Sequence, residues 1–80
     1  MRSYKQVSMV LLNEKIRFCF PFREDLLRFE VEAKKILSPE TLKDVEISDY
    51  PRKFYWVPYL NLSHEEEGKL IELAYKIVNE

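Results

Sequence analysis

The chain has 80 residues, with 13 Lys and Arg against 14 Asp and Glu for a formal net charge of −1, and 46% of its residues are hydrophobic. One cysteine, Cys19, and one histidine, His64, exclude an intrachain disulfide and a zinc site of clustered Cys and His ligands. With Gly68 the only glycine, neither a GxGxxG nor a GxxxxGKS/T phosphate loop can exist.

This length predicts one compact domain spanning 1–80, because single cores usually run to roughly 100–150 residues. A chain so short buries only about 60% of its unfolded surface and needs extra stabilisation. Five Phe, five Tyr and one Trp supply it, each buried Phe or Trp contributing roughly 1.5–3 kcal/mol. Self-association is the other use for such an excess. The longest uncharged apolar runs, VSMVLL and FYWVPYL, fall far short of the ~18–20 residues of a membrane span. The N-terminus is basic then apolar, like a signal peptide, but its apolar part stops at Asn13-Glu14. A cytoplasmic setting is expected, and the lone thiol agrees with it. Charge is uneven: Arg2, Lys5, Lys15, Arg17 and Arg23 face only Glu14 over residues 1–23, while 24–48 and 61–80 are acidic. Such an imbalance serves either charge matching inside the chain or a basic face aimed at phosphates or an acidic partner.

In chain order, the first element is a hairpin. Ile16, Phe18, Phe20 and Phe22 alternate with Arg17, Cys19, Pro21 and Arg23, the period of a strand. A two-residue loop at Asn13-Glu14 pairs Leu11 with Ile16, Met9 with Phe18 and Val7 with Phe20, gathering the large apolar residues on one face. Asn13 tolerates the positive φ such a turn requires. Val10 and Leu12 fall on the second face, which is expected to be partly covered.

Pro21 ends the strand or marks an edge. Leu26, Phe29, Ala33, Ile36 and Leu37 then fall at helical spacing, with Glu24 and Asp25 at the start and Lys34 and Lys35 near the end, as the helix dipole favours. Ser38-Pro39 breaks this helix and begins a short second one, Ser38 as cap. DVEIS and DYPRKF read as a connection running into a strand over 53–60. Phe54, Trp56 and Leu60 are expected inward, and Tyr55, Val57 and Tyr59 outward. Pro51 and Pro58 make this strand short, bulged or an edge. Ser63 and Glu66 form a capping box ahead of a final helix carrying Leu70, Leu73, Ala74, Ile77 and Val78 inward. The predicted fold is α+β, in the order β-β-α-β-α: a small antiparallel sheet of the N-terminal hairpin plus a third strand, with two amphipathic helices on one face.

No catalytic constellation is visible. Cys19 lies mid-strand and His64 at a helix start, where nothing places them together. Glu65, Glu66 and Glu67 fan around a helix N-terminus, where the dipole prefers acids. Metal-independent RNA cleavage is the one enzyme class left, with Arg52, Lys53, Tyr50 and Tyr55 as its groups. Nucleic-acid binding fits better, through the basic hairpin and the Arg52-Lys53 aromatic stretch, although a charge of −1 counts against it. Protein binding suits DYPRKFYWVPYLN best, since interface cores favour Tyr, Trp, Phe and Arg. The expected contact residues are Tyr50, Arg52, Lys53, Tyr55, Val57 and Tyr59, and an edge strand there can pair with another chain or a copy of itself. The alternative is that the chain's own helices cover these side chains. The expected function is therefore a small non-enzymatic module that binds a protein or itself. No cofactor, metal, small-molecule substrate or membrane partner is indicated.

Overall fold

The structure, a computed structural model, describes residues 8–12, 14–50, 52–60 and 62–79, and for 8–12 the backbone alone. Strand β1 (Ser8–Leu12) pairs with β2 (Lys15–Phe20); helices α1 (Arg23–Ile36) and α2 (Pro39–Lys43) follow. Then come β3 (Glu46–Ser48), β4 (Lys53–Pro58) and helix α3 (His64–Val78). The sheet is antiparallel throughout, in the order β1-β2-β4-β3. The predicted α+β order stands, with the short α2 and the edge strand β3 inserted between α1 and β4. No helix among the described residues is long and apolar enough to cross a membrane.

The hairpin register is the expected one, with Leu11 opposite Ile16 and Met9 opposite Phe18. Among the described residues a positive φ, 63°, is found at Glu14, the second loop residue. Asn13, Val7 and Pro51, to which a turn conformation, a pairing and an edge were assigned, lie outside the described residues. Strand β2 ends at Phe20, before Pro21, whose missing N–H could not extend the ladder.

Alternation along β2 decides which face of the sheet is filled. Ile16, Phe18 and Phe20 are buried, while Lys15, Arg17 and Cys19 between them are half-buried. Antiparallel pairing then sets Val57 opposite Ile16 and Tyr55 opposite Phe18, so β4 inherits the parity of β2. Against this face α1 buries Leu26, Phe29 and Ala33, and α3 buries Leu70, Ala74, Ile77 and Val78. Phe29 is the hub, its ring centroid 5.0 Å from those of Phe18, Phe20 and Tyr55.

The ends of the helices are tied by hydrogen bonds. The Ser38 hydroxyl caps α2 by accepting from the Thr41 N–H at 3.3 Å, and it lies 3.0 Å from the hydroxyl of buried Thr41. In the capping box of α3 the Glu66 N–H donates to the Ser63 hydroxyl at 3.1 Å, and the Ser63 N–H donates to the Glu66 carboxylate at 3.0 Å. The other carboxylate oxygen of Glu66 accepts from the Ser38 N–H at 3.2 Å, so one side chain serves two helix starts. The Ser63 backbone N–H is the largest influence holding the Glu66 carboxyl below the usual carboxylate range, and the Ser38 N–H adds to it. A depressed carboxyl pKa stabilises the fold above its unfolded value and ceases to do so as pH falls through the folded one. Glu66→Gln should therefore cost about 1 kcal/mol at neutral pH. In acid, urea titrations of variant and wild type should converge; a gap unchanged by pH would remove the charge from this account.

Among the described residues, ion pairs tie the basic N-terminal piece to residues 46–49: Lys15–Glu46 at 3.1 Å and Arg23–Asp49 at 3.1 Å. Exposed pairs add only about 0–1 kcal/mol each, but they neutralise charge locally.

Candidate functional site

The facing expected for β4 is reversed. Tyr55 and Val57 are core residues, 1% and 0% exposed, because they stand opposite Phe18 and Ile16 on the helix-covered face. Desolvation by burial, with the Glu30 carboxylate as a lesser influence, pushes the Tyr55 phenol up to about 12. Phe54 and Trp56 point the other way and are half-buried. Leu60, expected inward, is 76% exposed, since β4 ends at Pro58 before reaching it.

The remaining expected contact residues do not gather on one face. Lys53 stands opposite Phe20 at the end of the core side and is half-buried. Tyr59 is half-buried against the core, and its N–H donates to the Glu14 carbonyl oxygen at 2.8 Å. Arg52 and Tyr50 are exposed in the loop between β3 and β4, with Tyr50 89% exposed. Tyr55 and Val57 thus cannot meet a partner without unfolding, and Tyr50, Arg52, Lys53 and Tyr59 form no continuous surface with them.

What the fold does bring together lies on the opposite face of the sheet. Two rows cross it: Arg17–Trp56–Glu46 and Cys19–Phe54–Ser48, drawn from β2, β4 and β3. The Arg17 guanidinium carbon lies 4.5 Å from the Phe54 ring centroid and 5.5 Å from that of Trp56. The two rings meet edge to face, with centroids 6.0 Å apart and an interplanar angle of 75°. Directly opposed and diagonal cross-strand neighbours come this close on a pleated surface, so the register alone builds the cluster. Each cation–π contact is worth ~0.5–2 kcal/mol, the upper end when desolvated. The Arg17 Nε is buried, with no hydrogen-bond partner among the described residues. On the same face the Lys15 ammonium is held by Glu46 at 3.1 Å.

The expected contact set did not contain this trio, although one signal was available. Arg17 and Cys19 occupy the polar phase of β2, and any strand paired to it in register must place alternate residues beside them. His64 stands exposed at the first turn of α3, 3.9 Å from Glu67. Among the described residues no three of His, Cys, Asp and Glu are placed to hold a metal ion.

No protein-family model matches the chain, and neither a curated protein nor a solved structure does.

Proposed function

We propose that this is a non-enzymatic, cytoplasmic protein that binds another protein through the open face of its sheet. The observation that carries the reading is the Arg17 guanidinium set against Phe54 and Trp56 on the face away from the helices. Arg and Trp dominate the energetics of protein interfaces because each offers a large contact area that is rigid once placed. Packing against the rings restrains the Arg17 side chain before a partner arrives, which lowers the entropy lost on binding. Among the described residues the free positive charge on the face is small, since Lys15 is paired with Glu46 and the Arg17 guanidinium is partly covered by rings. That favours a protein partner over a phosphate backbone, which needs clustered uncommitted cations. The lone thiol supports the cytoplasmic setting. An enzymatic reading also loses Tyr55, whose phenol is buried in the core.

Half-buried rings on a sheet with an adjacent arginine also favour a second reading, the stacking of single-stranded bases. One experiment separates the two. A tagged chain is used for affinity capture from its host, with and without nuclease, beside folded Trp56→Ala and Arg17→Ala variants. The protein reading expects a partner that survives nuclease and is bound roughly 30-fold more weakly by Trp56→Ala, the loss of a hot spot of about 2 kcal/mol. Capture unaffected by either substitution would sink the site. Capture abolished by nuclease would transfer the face to nucleic acid.

A further inference from the structure

The helical layer carries a second surface, and its pattern names its own occupant. Leu27 and Val31 stand one turn apart on the outer side of α1, 46% and 55% exposed, in a helix that buries Leu26, Phe29 and Ala33. With Leu73 and Ile77 of α3 they line an open groove of about 360 Å³. On the same side of α1, Glu24 lies one turn before Leu27, and Lys34 lies one turn after Val31.

We infer that α1 is the interface of a symmetric homodimer, packed antiparallel against α1 of a second copy. Leu27 and Val31 are centred on Phe29, and so are Glu24 and Lys34. A two-fold axis crossing α1 at that level sets Leu27 opposite Val31 of the second copy and Glu24 opposite its Lys34. Symmetry makes every contact twice, so a single helix face yields two apolar contacts flanked by two opposite-charge pairs. Self-complementarity of this kind specifies a second copy of the chain rather than a partner of other chemistry. The same axis also sets Arg23 opposite Lys35, a like-charge pair made twice. Both cations are already engaged within the chain, Arg23 with Asp49 at 3.1 Å and Lys35 with Glu32 at 3.2 Å.

The dimer stands on its own observations, but one consequence rests on the protein-binding reading. Because the helices lie on one side of the sheet, two copies joined through α1 keep both Arg17–Phe54–Trp56 faces outward and bind divalently.

Sedimentation equilibrium of the purified chain at low salt tests the inference. The wild type should sediment as a dimer, and Leu27→Glu should be a folded monomer. Glu24→Lys and Lys34→Glu should each weaken association roughly tenfold, as two favourable pairs become repulsive. An equimolar mixture of those two variants should restore it, since both pairs are then Lys against Glu. A wild type monomeric up to about 1 mM overturns the inference. So does a dimer indifferent to Leu27→Glu, or one that mixing fails to rescue. Trp56→Ala, folded and still dimeric, reads the binding face separately from the dimer.

Discussion

Replacing Phe29 with alanine should destabilise the protein by roughly 3–5 kcal/mol, the range for removing a fully buried aromatic side chain. The ring is 0% exposed and touches Phe18, Phe20 and Tyr55, each at 5.0 Å between centroids, so α1 is joined to both central strands through it. The void cannot close easily, because three of its walls are aromatic side chains held by two paired strands. For 80 residues the whole stability is on the order of 4–12 kcal/mol, so the variant should sit near its unfolding threshold at 37 °C. Urea titration followed by circular dichroism measures the loss. Val31→Ala, two residues along on the outer side of the same helix, should change monomer stability by no more than about 0.5 kcal/mol. A loss below about 1 kcal/mol at Phe29 would show that the core is centred elsewhere.

How far the fold was legible depended on how unequal the two faces of each element are. In β2 every second residue is Lys, Arg or Cys, so alternation points one way, and the hairpin partner followed from it. In α1 and α3 the apolar stripes and terminal charges agree, and Ser63 and Glu66 sit at the spacing of a capping box; all were readable locally. β3 is three residues long, too short for any period to register, and only β4 beside it makes it a strand. β4 failed for another reason. KFYWVP has large apolar residues in both phases, so its own alternation does not say which phase faces inward, and Phe54 and Trp56 were expected there. The deciding constraint is non-local. β4 lies beside β2, whose phase was already set, and Phe18 and Ile16 claim Tyr55 and Val57 as partners. The candidate site inherits this error, since Arg17 was readable as an outward cation but its aromatic neighbours were assigned to the core. The φ of 63° at Glu14 shows that a tight hairpin loop can impose a left-handed conformation on a residue with no preference for it.

Tyr55 gives the sharpest test of the corrected facing. Had its side chain faced outward, Tyr55→Ala combined with Tyr59→Ala would leave the fold intact and remove only a contact. With the ring 1% exposed against Phe18 and Phe29, Tyr55→Ala alone should cost roughly 3–5 kcal/mol and unfold much of the protein. Tyr55→Phe keeps the ring and should stay folded at neutral pH, which permits a second measurement in alkali. The phenol titrates at about 12 in the folded chain against 10.0 unfolded, burial being the main cause and Glu30 the lesser. Below the unfolded value the hydroxyl is neutral in both states and adds no pH dependence. Above it the unfolded chain ionises while the folded chain cannot, so stability falls as pH rises and the fall ends only beyond the folded value. Two units correspond to roughly 2–3 kcal/mol. Lysines also titrate in this window, so the measured quantity is the difference between wild type and Tyr55→Phe. That difference should shift in favour of the variant between pH 10 and 12, read from urea midpoints at fixed ionic strength. Two stability curves that run parallel through the window would mean that the phenol ionises without unfolding, and that Tyr55 reaches solvent.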